Sequence, residues 1–263
     1  MTAFYEYCRS RRRFLTVRRP RNHNLEEQAR ALYKSWFVDF EPFKGGKFVD
    51  SEIGRIPSGW TIKRIGELPL YIADYVANGS FASLKENVTL LEQEDYAVFV
   101  RNTDLKSGSF GIYVNKASYD FLAKTRLYGG EIIVSNVGDV GSVHLCPKLN
   151  CPMTLGNNVV MLRPADNCYL AFLYLNLKYF SGHHSIEGIT GGSAMPKFNK
   201  TDFKSIKLLV PPESVLMRFA CIENALFTKA ERLKQEVRKL CAIRDIVLPS
   251  LMNGTLSGMT KNC

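Results

Sequence analysis

The sequence predicts an α+β protein: a mixed-sheet body with polar loops, joined to a long antiparallel helical region. Three observations predict it. Near the C-terminus, Phe219, Leu226, Leu233, Leu240 and Val247 fall on a strict seven-residue period. Near the N-terminus, Leu25, Ala29, Leu32 and Trp36 form a shorter apolar stripe at four-three-four spacing. Between them, short β-type runs alternate with polar, Gly-bearing segments.

Residues 1–22 hold seven Arg, no Lys and one Glu, and so contribute +6 of the net charge of +10. RSRRRF and VRRPR carry no amphipathic period. Three readings compete: a disordered arm for phosphates, a targeting segment, or an aberrant start. The last fits best, because a coherent pattern begins only at about Asn22, and the segment is expected to be disordered and dispensable. Residues 23–42 read as the end of a helix. Asn24 is a good N-cap, and Glu27 stands three residues on, as a capping box requires. Tyr33 and Phe37 widen the stripe. Its geometry suits packing against the C-terminal seam, and a simple surface helix is the other reading.

The body is expected over residues 43–210. It opens with a Gly- and Pro-bearing linker, 43–59, ending in SEIGRIPSGW. YAVFVR (96–101), EIIVSN (131–136), residues 143–146 and NVVML (158–162) read as strands. Residues 169–180 read as a helix, and FKSIKLLV (203–210) as a closing strand. ANGSFASLKEN, RNTDLKSGSFG, SNVGDVGS and TGGSAMPKFNK read as loops. Their Asn, Ser, Lys and Arg suit base edges and phosphates, and their Gly lets a backbone approach closely. Ordinary solvated turns would look the same.

Residues 211–258 read as the long helix. Pro211 and Pro212 mark its start, and Pro249 with Gly254 its end. Val215, Ile222, Ala230, Val237 and Ile243 make a second, less regular row. Lys229 and Glu236 interrupt it, so a helix pair with one wet stretch fits better than an ideal coiled coil. A helix lying on its own domain remains the alternative.

An apolar fraction of 46% with 23% charged residues is that of a globular protein. No apolar run approaches the roughly 18 residues of a membrane span, and FLTV is too short for a signal peptide. The seven scattered cysteines fit reduced thiols in a cytoplasmic protein. His144, Cys146 and Cys151 lack the paired spacing of zinc sites, so no metal is expected. There is no GxxxxGK[ST] loop, GxGxxG after a strand, GxSxG elbow or Asn-Pro-Pro-aromatic tetrapeptide. His183 and His184 read as a surface turn without a carboxylate partner, and Asp139 in VGDVG as a turn residue. A non-catalytic binding protein is the better default than an enzyme with an unfamiliar site.

HNLEEQARALYKSWFVDFEPF, GRIPSGW, GGSAMPKFNKTDFKSIKLLVPP and RDIVLPSLMNG, in that order, resemble the specificity subunits of type I restriction–modification systems. The resemblance covers about residues 22–258. It implies the end of a first spacer helix, one target-recognition domain with loops for one half of a split DNA site, and a second spacer. It implies methyltransferase and restriction subunits as partners, with a second half-subunit or a homodimer completing the site. S-adenosylmethionine, ATP and Mg would then belong to those partners, and no cofactor to this chain. A non-functional remnant or a silent recombination cassette is the rival reading. Loop position and chemistry give the DNA-contact candidates Lys85, Arg101, Asn102, Lys106, Asn136, Ser193, Lys197 and Asn199. The helix–helix or partner surface would use Leu25, Leu32, Trp36, Phe219, Leu226, Leu233, Leu240 and Val247.

Overall fold

The computed structural model describes residues 25–192 and 194–252, with backbone alone at 225–231, 233, 234, 238, 246 and 249–252. The expectations for residues 1–22, the Asn24 cap, Ser193 and Gly254 lie outside the described residues. The chain divides into two compact units. One spans Arg30–Asn224, and the described part of the other is residues 25–29 and 225–252.

The larger unit begins within helix α1 (25–37). Its 3-10 turn Glu41–Phe43 leads to a hairpin, β1 (Phe48–Ser51) and β2 (Gly54–Pro57). The expected linker is therefore structured. Ser51 Oγ donates to Gly54 O at 2.6 Å, and Gly54 takes φ +103, which closes the tight turn. Aromatic contacts anchor the segment, since the Trp60 ring lies 5.3 Å from Phe40 and from Phe43.

Two sheets form the centre. In the first, β10 (Val143–Leu145), β9 (Ile132–Ser135), β12 (Val159–Pro164) and β4 (Leu70–Asp74) run antiparallel in that order. The second has the order β5 (Leu90–Leu91), β7 (Tyr113–Val114), β6 (Ala97–Val100), β11 (Met153–Leu155), β8 (Arg126–Leu127), and β6 and β11 run parallel. Ala73, Ile133 and Met161 of one sheet meet Val98, Val100, Met153 and Leu155 of the other in a single buried cluster. Strands β6 and β9 are buried at every position, as strands covered on both faces must be. α5 (Cys168–Tyr179) packs against β10 and β12 and is buried from Ala171 to Leu177. A separate two-stranded sheet pairs β3 (Thr61–Arg64) with β13 (Lys207–Val210).

Four short helices occupy segments expected to be loop or strand. α2 (Phe81–Asn87) lies in ANGSFASLKEN and is capped by Ser80, whose Oγ accepts from Ser83 N at 3.2 Å. α3 (Asn102–Ser107) fills RNTDLKSGSFG and ends at Gly108, φ +74. α6 (Ser181–Gly188) carries both histidines, which therefore stand on a helix and not a turn. α7 (Lys200–Ser205) takes the first part of FKSIKLLV, because Asn199 Oδ1 accepts Asp202 N at 2.8 Å and caps it. Only β13 is strand. The remaining short helix, α4 (Lys116–Phe121), is capped in the same way by Asn115.

The long helix, α8 (Glu213–Met252), runs past Pro249. Proline's fixed φ is itself helical, so this close to the end it removes one ladder bond without ending the helix. Within the larger unit, Tyr33 of α1 lies at its heart. Its ring sits 4.5 Å from Phe180 and 6.0 Å from Phe219, and its hydroxyl accepts Asn176 Nδ2 at 2.6 Å. Trp36 and Phe37 lie 5.7 and 4.6 Å from Phe219. Among the described residues, no helix is long and apolar enough to cross a membrane.

Candidate nucleic-acid interface

The ends of three central strands meet at one rim of the body. Val100 and Leu155 lie side by side at the C-terminal ends of the parallel pair β6 and β11. Gly156 N then donates to Val100 O at 2.8 Å, and a Cβ there would stand 2.6 Å from that oxygen, so only glycine fits. Ser135, the last residue of β9, pairs with Val159 at the start of β12. Backbone bonds then sew the connecting segments together. Asn136 N donates to Asn158 O at 3.1 Å, Gly138 N to Pro196 O at 2.9 Å and Phe198 N to Asn136 O at 3.1 Å. Val137 and Lys197 form a bridge. Lys200 Nζ reaches Asp74 Oδ1, at the end of β4, at 2.7 Å. Residues 101–106, 136–141, 156–158, 191, 192 and 194–200 thus share one rim, drawn from segments far apart in the chain.

The side chains on this rim are held in networks. Asp104, buried, grips Arg101: its Oδ2 accepts Arg101 N and Nε at 3.0 Å each, and its Oδ1 accepts Nη2 at 2.8 Å. The same carboxylate sits in the first turn of α3, where it also meets the helix dipole. One turn apart on α3, Asn102 and Lys106 point the same way. Asn102 Nδ2 and Lys106 Nζ both reach Asp139 Oδ2, at 2.9 and 2.8 Å. Those bonds, with one from Ser142, hold the Asp139 carboxyl below its ordinary range. Asp139 stands between Gly138 and Gly141, whose φ values of +77 and +81 bend the β9–β10 turn. Asn136 Nδ2 lies 3.5 Å from Phe198 O. Oδ1 of Asn102 and of Asn136 are buried without a hydrogen-bond partner among the described residues.

The structure therefore brings together Arg101, Asn102, Lys106, Asn136, Lys197 and Asn199. The Lys197 side chain is exposed, and Asn199 is occupied in capping α7. Lys85 is exposed on α2, which packs against α4, and no hydrogen bond or ion pair among the described residues links it to the rim. Asp139 and Lys200 were not among the candidates. A Gly-x-x-Gly turn with a carboxylate at its tip was the available signal for Asp139. The four-residue interval from Asn102 to Lys106 becomes a signal only once α3 is recognised as a helix. The histidines have a carboxylate after all, since His184 Nδ1 lies 3.2 Å and His183 Nε2 3.7 Å from Glu187.

Along α1 the buried stripe is Leu25, Ala29, Tyr33, Trp36 and Phe37, with Leu32 only half-buried. On α8, Phe219 is fully buried, Leu240 and Val247 are half-buried, and the Leu226 and Leu233 side chains lie outside the described residues. Ile222 and Ile243 of the second row are exposed. Among the described residues, the group of possible metal ligands that approach within 4.8 Å of one another is Asp166, Cys168 and Glu213, not His144, Cys146 and Cys151. There Asp166 Oδ1 accepts Cys168 N at 2.8 Å, and burial with this neighbouring carboxylate pushes the Cys168 thiol up to about 12. A thiol so held is a poor metal ligand.

Residues 57–215 match the family model described as the type I restriction modification DNA specificity domain. Over 91% of its length the chain is 28% identical to the specificity subunit of the type I restriction enzyme MjaIX of Methanocaldococcus jannaschii, covering 54% of that protein. It is 23% identical to the HindI specificity subunit of Haemophilus influenzae over 89% of this chain and 62% of that one. The chain thus spans little more than half the length of these relatives. A crystal structure of a type I restriction-modification S subunit from M. genitalium shares the fold, with a TM-score of 0.50, 19% identity and coverage of 94% of this chain and 60% of that one.

Proposed function

Because the chain belongs to the family of the type I restriction modification DNA specificity domain, we propose that it is a half-specificity subunit reading one half of a bipartite DNA site. The observation that carries this reading is the convergence of residues 101–106, 136–141, 191, 192 and 194–200 on one rim. That rim has the chemistry of a major-groove reader, for it offers carboxamides, a carboxylate and lysines, the groups that meet base edges and phosphates. Lys197 and Lys85 supply exposed cations for phosphates. Helices α1 and α8 serve as the spacer and present apolar side chains, Ile222 and Ile243 among them, to methyltransferase subunits. The chain itself is non-catalytic and cytoplasmic. Methyl transfer from S-adenosylmethionine, and ATP- and Mg-dependent restriction, belong to the partner subunits. Two copies would read a two-fold symmetric split site, and pairing with a different half-subunit an asymmetric one.

The test is selection of bound duplexes from random-sequence DNA by the chain together with its methyltransferase subunits, at two salt concentrations. A half-site motif should be enriched, and enrichment should survive at the higher salt while total binding falls. Binding with no enriched sequence in any combination of subunits overturns the proposal.

A further inference from the structure

Asp139 is the rim group that ordinary phosphate binding does not explain. Its side chain is 50% exposed, at the tip of the turn between Gly138 and Gly141. Lys106 and Asn102 both bind Oδ2 and Ser142 adds a third bond, and a carboxylate has about four lone-pair sites, so acceptor capacity remains. The flanking donors fix its rotamer and keep it ionised. The fold has little need of the pair, because an ion pair this exposed adds little to stability. A phosphate would repel it. Lys106, bound to Oδ2, offsets that repulsion enough for the carboxylate to approach a duplex.

Resting on the DNA-reading role proposed above, we infer that Asp139 is a base-reading residue that accepts a hydrogen bond from an exocyclic amino group in the major groove. In that groove the donors are cytosine N4 and adenine N6, whereas guanine and thymine present acceptors. A carboxylate has no proton to give, so it discriminates against guanine and thymine by leaving two acceptors face to face. Lys106 and Asn102 are then positioning residues. Their bonds to Oδ2 aim the carboxylate without themselves touching the base.

The experiment repeats the selection on the chain with its methyltransferase subunits, as wild type and as Asp139→Ala. The wild-type profile should contain a position that takes cytosine or adenine and rejects guanine and thymine. Asp139→Ala should lose about tenfold in discrimination at that position and keep the rest of the motif. Two base analogues need no substitution in the protein: 2-pyrimidinone replaces cytosine without its amino group, and purine replaces adenine without its own. The analogue that weakens wild-type binding about tenfold identifies the base, and it should not further weaken Asp139→Ala. The inference fails if Asp139→Ala keeps every base preference and merely binds all duplexes more tightly, or if neither analogue weakens the wild type. A wild-type profile with no motif at all overturns the DNA-reading role, and is recognised because the loss precedes any substitution.

Discussion

The two ends of the four-stranded sheet each carry a carboxylate paired with a cation, in opposite surroundings. At the end where Leu162 pairs with Ile132, Glu131 is buried and Arg163 half-buried, with side-chain exposures of 2% and 33%. Glu131 accepts Tyr128 N at 2.8 Å, Gly129 N at 2.9 Å and Arg163 Nη2 at 3.0 Å. Tyr128 and Tyr71 flank the guanidinium, their ring centres 4.8 and 5.9 Å away. At the end where Val159 pairs with Ser135, Lys106 and Asp139 are about half exposed. The same charge chemistry locks the fold at one end and leaves a carboxylate presentable at the other. Burial decides which, because a desolvated pair is costly to break and a solvated one is not.

That contrast predicts a graded series. Replacing Glu131 with Ala leaves Arg163 only the Arg126 carbonyl and its tyrosine neighbours, strands two backbone N–H groups, and should lower the unfolding free energy by about 3 kcal/mol in a urea titration. An effect below 1 kcal/mol would place the two ends on the same footing. Glu223 sharpens the comparison as a buried carboxylate whose two oxygens have no hydrogen-bond partner among the described residues. Burial raises it from 4.5 to about 7. Below pH 4.5 it is protonated folded or unfolded and costs nothing. As pH rises toward 7 the unfolded chain ionises first, so stability is lost through that window and stays low above it. Glu223→Gln should therefore gain on the order of 1 kcal/mol at pH 8 and nothing at pH 4 in thermal melts. A Glu223→Gln variant that loses stability relative to wild type as pH rises would show that Glu223 is charged and paired in the fold. Lys106→Ala should be the mildest, within about 0.5 kcal/mol of wild type in the same urea titration, since the pair it breaks is solvated. A larger loss would make Asp139 a structural residue.

Much of the body was legible because its signals are local. YAVFVR, EIIVSN and NVVML are continuous β-type runs, and each holds a strand buried on both faces. The helix over 168–179 and the long C-terminal helix were legible for the same reason, a sustained apolar pattern. α2, α3 and α7 were missed although Ser80, Asp104 and Asn199 signal them. A six- or seven-residue helix shows too little periodicity to stand out from a polar loop. In α1, spacing favoured Leu32, whereas Tyr33 is the buried residue because α5 supplies Asn176 to its hydroxyl and Phe172 to its ring, and Phe180, just past α5, stacks on it.

The sequence by itself determined which segments are apolar enough to become strands and helices, the family resemblance, and the kinds of side chain available to meet DNA. Those follow from composition and period, which neighbours along the chain set. Only the tertiary structure decided that Asn102 and Lys106 turn onto Asp139, that Asp104 holds Arg101, and that residues 136–141 and 194–200 share a rim. Each of these joins depends on strand register and on burial. Both arise when distant segments exclude water together, and no local pattern encodes them.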